Sequence, residues 1–204
     1  MPDCFVVAIV DDDEAVRRST AGLLKRAGHS VQTYADGAEF LAADLGEEVG
    51  CILLDMRMPN VDGLAVMRAL RERGVTIPIL VLTGHGDVPL AVEAMRLGAV
   101  DFLEKPYPSA ELREAIHRAC TAPRTAPGEG VDPEARAKVA TLSKRQRSVL
   151  AGILKGQPNK IIAWELNLSI RTVEAYRAQL LDKLNVRGTA EAVRLAIAAG
   201  MLGE

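Results

Sequence analysis

The first 120 residues alternate between two hydrophobic periods. Short apolar runs at residues 5–10, 31–34, 51–54, 79–82 and 99–103 have the length and continuity of buried strands. Between them, apolar residues recur at helical spacing. Residues 15–27 carry Val16, Leu23 and Leu24, and residues 62–73 carry Leu64, Met67 and Leu70. Residues 87–97 and 109–120 read the same way, and a shorter helix fits 36–43. The punctuation agrees: Gly28, Gly74 and Gly98 stand where helices should stop, Asp87 caps one helix start, and Pro108 precedes another. Five strands alternating with helices predict an α/β fold, a doubly wound, flavodoxin-like parallel sheet of five strands covered on both faces.

Residues 121–133 hold three prolines and two glycines with no periodic pattern, which predicts a linker. Strand signals are absent beyond it. Residues 143–154, 160–166, 170–184 and 189–199 read as helices, a small all-α unit of four. The expected division is a first domain over 1–120, a linker over 121–137 and a second domain over 138–204. The short segment 167–169 between two helices gives the helix-turn-helix pattern.

Charge sharpens this division. The 204 residues carry a formal net charge of −2, which as one number suggests no polyanion partner. Residues 1–120 hold 12 basic and 19 acidic side chains, whereas residues 135–204 hold 12 and 5. Only the C-terminal unit suits a polyanion. Hydrophobic residues make up 49% and aromatics 3%, so the core should be sizeable and aliphatic. Apolar runs stop at about six residues, against about 20 for a membrane-spanning helix. Cys4, Cys51 and Cys120 form no metal spacing and read as small core hydrophobes. A soluble, cytoplasmic protein with no membrane partner is expected.

In an open parallel sheet, ligands gather beyond the carboxyl ends of the strands. Those ends carry Asp11, Asp12 and Asp13 after the first strand and Asp55 after the third. Thr83 follows the fourth and Lys105 the fifth. Clustered carboxylates favour a hard divalent cation such as Mg²⁺ or Mn²⁺. A carboxylate can attack phosphorus, with cation and lysine offsetting the charge on the phosphoryl oxygens. Taken singly, the aspartates at 11–13 fit a helix cap as well, Asp55 a turn, and Lys105 a surface position.

The segments Ile9-Val10-Asp11-Asp12-Asp13, Leu54-Asp55-Met56-Arg57-Met58-Pro59, Asp62-Gly63, Leu82-Thr83-Gly84-His85-Gly86-Asp87 and Glu104-Lys105-Pro106 resemble the receiver domain of two-component response regulators. The stretch from Thr83 to Met95 resembles the FixJ branch in particular. The resemblance implies Asp55 as phosphoacceptor. It implies Asp11, Asp12, Asp55 and the backbone carbonyl of Arg57 as metal ligands, and Thr83 and Lys105 as phosphoryl contacts. Phe102 matches an aromatic switch position coupled to Thr83, and the Lys105–Pro106 bond should be cis. Val88, Ala91, Val92 and Met95 are either a dimer face or core.

In the C-terminal unit, Val173, Leu180 and Leu184 form one stripe that should face inward. Arg171, Thr172, Glu174, Ala175, Ala178 and Gln179 should face out, and Ser169 is a suitable N-cap. The segments 142–146, 156–163, 169–177 and 182–186 resemble the LuxR-type DNA-binding domain. By that resemblance Glu174, Ala175 and Ala178 approach base edges, while Lys160, Thr172 and Arg177 meet phosphates or groove walls. Arg171 at the helix start suits a phosphate. Gln146 replaces a usual glutamate, which turns a helix-anchoring ion pair into a neutral hydrogen bond. Trp164 reads as a packing residue between helices rather than a base stacker.

The combined expectation is a phosphorylation-activated transcription regulator rather than an ordinary enzyme. Its partners would be a sensor histidine kinase, double-stranded DNA at a near-palindromic site, and a second copy on phosphorylation, with RNA polymerase a further candidate. Two rivals are a haloacid-dehalogenase-like phosphohydrolase and an interaction adaptor that binds no DNA. The first would need a threonine or valine that Asp11-Asp12-Asp13-Glu14-Ala15 lacks.

Overall fold

The computed structural model describes residues 5–46, 48–84, 88–121, 131–186 and 188–201. The cap expected at Asp87 lies outside them, as do Cys4, His85, Gly86 and most of the expected linker. The chain divides into two compact units.

The N-terminal part alternates strand and helix as the hydrophobic periods require. In chain order it runs β1 Val6–Val10, α1 Glu14–Arg26, β2 Ser30–Tyr34, α2 Gly37–Ala42, β3 Val49–Asp55, α3 Gly63–Glu72, β4 Ile79–Thr83, α4 Val88–Arg96, β5 Asp101–Glu104 and α5 Ser109–Thr121. The five strands form one parallel sheet in the order β2-β1-β3-β4-β5. Asp13, Asp36 and Asp62 cap α1, α2 and α3 by accepting from first-turn backbone N–H groups. The expected stops Gly28, Gly74 and Gly98 all have positive φ, a conformation that costs glycine little.

The central strands are buried throughout, with β4 buried at every position from Ile79 to Thr83. Alternation along each strand divides their side chains between two faces. Val7, Ile9, Leu53, Leu80, Leu82 and Leu103 form one aliphatic core with Leu24 of α1 and Leu112 and Ile116 of α5. Ala8, Val10, Leu54, Val81 and Phe102 alternate with them and are equally buried.

The second unit contains five helices among the described residues, not the four expected. They are α6 Pro133–Ala140, α7 Lys144–Leu154, α8 Asn159–Glu165, α9 Ile170–Leu184 and α10 Thr189–Ala198. The extra helix, α6, falls largely within the segment read as linker. Its signal was Asp132 as N-cap with Pro133 at the first helical position. Only Ala135 and Val139 are buried along it, too little periodicity to stand out. The Asp132 N–H donates to the Ala198 carbonyl at 2.8 Å, tying the start of α6 to the end of α10. No helix among the described residues is long and apolar enough to cross a membrane.

Candidate functional site

Strand register assembles the first site. Val10 pairs with Leu54, Asp55 with Leu82, and Thr83 with Glu104. Asp11, Asp55, Thr83 and Lys105 therefore come together at one edge of the sheet, although 94 positions separate the first from the last. The Lys105 ammonium donates to Asp11 Oδ2 at 2.6 Å and to Asp55 Oδ2 at 2.9 Å. Asp11 is fully buried and Asp55 is 6% exposed. Two buried carboxylates this close repel, and the shared ammonium offsets that repulsion.

Burial raises the Asp55 carboxyl above the usual carboxylate range, with Asp11 adding to the effect and Lys105 opposing it. Burial alone would lower Lys105, but its contacts with Asp11 and Asp55 prevail and its ammonium is held above the ordinary value. Lys105 is thus charged, and Asp55 is a carboxylate made more basic by its surroundings.

The three expected aspartates have separate tasks. Asp13 caps α1, accepting from Ala15 N–H at 2.8 Å and Val16 N–H at 3.2 Å. Asp11, Asp12 and Asp55 each offer a carboxylate oxygen, all within 4.8 Å of one another. Asp12 is exposed, so this group opens to solvent. An all-oxygen set with three carboxylates fits a hard divalent cation better than a soft one. Arg57 lies two residues after Asp55, its N–H donating to Asp55 Oδ1 at 3.4 Å.

Sequence reasoning gave Gly63 no structural role beyond the motif. A β-carbon there would stand 2.6 Å from the Asp55 carbonyl oxygen and 2.8 Å from the Met56 α-carbon. Only glycine lets the start of α3 pass this close behind the acceptor residue.

Thr83 is buried, its hydroxyl donating to the Leu103 carbonyl at 3.3 Å. Phe102, one residue before Leu103, is already 1% exposed, so any movement of its ring starts from a packed position. The Lys105–Pro106 bond is cis, as expected. The residues expected on α4 as dimer face or core differ in exposure. Ala91 and Val92 are buried and Met95 is half-buried. The Val88 side chain lies outside the described residues.

The second site is the pair α8 and α9. Ser169 caps α9, its hydroxyl accepting from Thr172 N–H at 3.0 Å and bonding the Thr172 hydroxyl at 2.7 Å. Val173, Leu180 and Leu184 are buried as expected. Arg171, Glu174, Ala175, Ala178 and Gln179 are exposed, spaced so that they share the opposite face. Lys160 on α8 is exposed too, whereas Thr172 is half-buried. Gln146 completes a capping box with Ser143, and its amide donates to Gln179 Oε1 at 3.4 Å. That is the neutral link expected where an ion pair is usual.

Two positions differ from expectation. Arg177 is half-buried rather than free to meet a phosphate. Its two terminal nitrogens donate to Asn159 Oδ1 at 2.8 Å and Thr189 Oγ1 at 3.0 Å, and burial lowers its pKa. Trp164 does not pack between helices; it is 80% exposed. On the short helix α8, Ile162 and Ala163 take the inward positions, and the next residue turns outward.

Comparison with known proteins fits both sites. Residues 7–117 match the response regulator receiver domain, and residues 140–196 match the bacterial regulatory proteins of the luxR family. The transcriptional regulatory protein FixJ of Bradyrhizobium diazoefficiens is 45% identical over 97% of each chain. The tetrathionate response regulatory protein TtrR of Salmonella typhimurium is 40% identical, over 92% of this chain and 90% of its own. The crystal structure of full-length FixJ from B. japonicum superposes with a TM-score of 0.51 at 42% identity, covering 97% of this chain and 98% of that one. The chain belongs to the two-component response regulators, those that join a receiver to a LuxR-type DNA-binding domain. It is a phosphorylation-controlled transcription regulator of the FixJ kind.

Proposed function

We propose that Asp55 accepts a phosphoryl group from the phosphohistidine of a sensor histidine kinase. The single observation that carries this reading is the buried Asp11–Lys105–Asp55 bridge beside the open carboxylate group. Asp55 attacks phosphorus, the P–N bond breaks, and the released imidazole nitrogen takes a proton. Raised basicity makes Asp55 a better nucleophile than an ordinary carboxylate. Asp11, Asp12, Asp55 and the Arg57 carbonyl would hold Mg²⁺ or Mn²⁺, which when bound offsets charge on the phosphoryl oxygens.

The acyl phosphate brings about −1.5 to −2 charge to the end of β3. Lys105 turns from its carboxylate partners toward it. Thr83 gives up the Leu103 carbonyl to donate to a phosphoryl oxygen. That hydroxyl is the element that moves, with Phe102 next to it in the packed strand. The receiver, over about 1–120, then dimerises and brings two copies of α9 onto a near-palindromic duplex about one helical turn apart. Glu174, Ala175 and Ala178 read base edges while Arg171, Thr172 and Lys160 contact the backbone.

The test is phosphorylation of the full-length protein with acetyl phosphate and Mg²⁺, followed by a mobility shift on duplex recovered by selection from random sequence. Wild type should acquire acid-stable, base-labile phosphate and bind more tightly. Asp55→Asn should do neither, and activation of Asp55→Asn to the wild-type level would falsify the mechanism.

A further inference from the structure

Two hydroxyls meet where packing alone would need none. Thr20 on α1 is 3% exposed, and its hydroxyl bonds the Tyr107 hydroxyl at 3.0 Å across 87 positions of sequence. The Tyr107 ring packs against the aliphatic core that α1 and α5 share with the sheet. Valine and phenylalanine would fill these two places with no polar atom. A buried hydroxyl costs free energy unless it is bonded, so the pair is a specific link and not mere filling. Burial raises the Tyr107 phenol above its ordinary value, which keeps it protonated at neutral pH.

The link lies beside the acceptor site, close enough that Lys105, Asp11 and Asp55 all act electrostatically on the phenol. β5 ends at Glu104 and α5 begins at Ser109, so Lys105 opens the connection between them. The Lys105 N–H donates to the Thr83 carbonyl at 2.7 Å, which fixes the near side of that connection to the sheet. Pro106 has no N–H to contribute. Tyr107 ties the next residue to α1 through Thr20. α1 is itself held at the site, because Arg17, one turn before Thr20, donates to the Asp11 carbonyl at 2.6 Å. One helix thus braces the backbone of Asp11 and the turn that carries Lys105.

We propose that Tyr107, through its bond to Thr20, is a positioning residue for Lys105 in phosphoryl transfer. The lysine stem is flexible, and its ammonium serves Asp11 and Asp55 first and the phosphoryl group afterwards. With the turn pinned to α1, the ammonium makes that move by side-chain rotation and arrives in register with the phosphoryl oxygens. With the pin removed, the backbone shares the motion and fewer encounters are productive. Neither hydroxyl takes part in the chemistry; both act through the lysine. The proposal rests on Asp55 as the acceptor.

The test measures the initial rate of phosphorylation of the full-length protein by acetyl phosphate across a Mg²⁺ series. Tyr107→Phe removes one oxygen and keeps the ring. It should lower the rate at saturating Mg²⁺ by about tenfold, as loss of orientation does, with the Mg²⁺ midpoint unmoved because Asp11 and Asp12 are untouched. Thr20→Val should lose as much, the two changes together should be no slower than either alone, and Thr20→Ser should restore the rate. The readout that separates positioning from plain support is the Lys105→Ala background. There Tyr107→Phe should have no further effect, because the group it positions is gone. An equal loss in that background overturns the proposal, as do a full rate for Tyr107→Phe, additive losses at Thr20 and Tyr107, or no rescue by Thr20→Ser. The Thr20 variants decide alone if Lys105→Ala does not fold. A wild-type protein that takes no phosphate on Asp55 would overturn the acceptor reading and this role with it.

Discussion

Lys105 donates to Asp55, Nζ to Oδ2 at 2.9 Å, across 50 positions of sequence. Even with this partner, burial leaves the Asp55 carboxyl above its ordinary pKa. An acid raised in the folded state binds its proton more readily there than in the unfolded chain. The folded state is thus penalised at neutral pH, and the penalty fades as pH falls through the raised pKa. Asp55→Asn should therefore be more stable than wild type at about pH 7, by an amount that shrinks toward about pH 4. Lys105 keeps Asp11 as partner in the variant, so no bare ammonium is created. Thermal unfolding at both pH values checks the sign, and an Asn variant less stable at neutral pH refutes it. The same shift means that phosphoacceptance should fall on the acid side at a higher pH than an ordinary carboxylate would give.

Asp12 separates the metal requirement from the ion pair. It belongs to the carboxylate group yet is exposed, unlike Asp11, which Lys105 holds at 2.6 Å. Asp12→Asn should raise the Mg²⁺ concentration needed for half-maximal phosphorylation by about tenfold or more. Stability should change by no more than about 0.5 kcal/mol, as for an exposed position. Phosphorylation from acetyl phosphate across a Mg²⁺ series reads the first quantity and urea unfolding the second. An unchanged Mg²⁺ midpoint would remove Asp12 from the ligand set.

Thr83 couples the acceptor to β5 through one hydroxyl. Its bond to the Leu103 carbonyl is long at 3.3 Å, so losing it should cost about 1 kcal/mol or less. Thr83→Ala should therefore fold and accept phosphate, but the gain in DNA affinity on phosphorylation should largely disappear. Thr83→Ser keeps the donor and should retain most of the gain. A Thr83→Ala protein that switches normally would place the coupling elsewhere.

The sheet was legible because its strands are continuous apolar runs, and the acidic edge was legible because parallel register puts strand ends side by side. Three features were not. α6 buries only Ala135 and Val139, so its cap was the sole clue among prolines and glycines. Trp164 sits one position beyond the inward pair of a seven-residue helix, where hydrophobicity alone points the wrong way. Arg177 belongs to a basic helix that reads as a uniformly DNA-facing surface, and spacing gives no sign of partners as distant as Asn159 and Thr189.

Arg177 gives the sharpest contrast between positioning and contact. One guanidinium nitrogen reaches Asn159 at the start of α8 and the other reaches Thr189 at the start of α10. The side chain thus fixes α9 against both neighbours, and with its donors so engaged it adds little to phosphate neutralisation. A single phosphate contact contributes about 0.9 to the slope of log affinity against log salt. Lys160→Ala should lower that slope by about this amount. Arg177→Lys cannot reproduce the two-pronged geometry. It should weaken duplex binding at every salt concentration while leaving the slope unchanged, and should lower the unfolding temperature of the C-terminal unit. Thr189→Val should produce a milder form of the same change, with the slope again unaltered. Fluorescence anisotropy of a labelled duplex over a salt series measures all three proteins. A slope reduced by Arg177→Lys as much as by Lys160→Ala would return Arg177 to the DNA backbone.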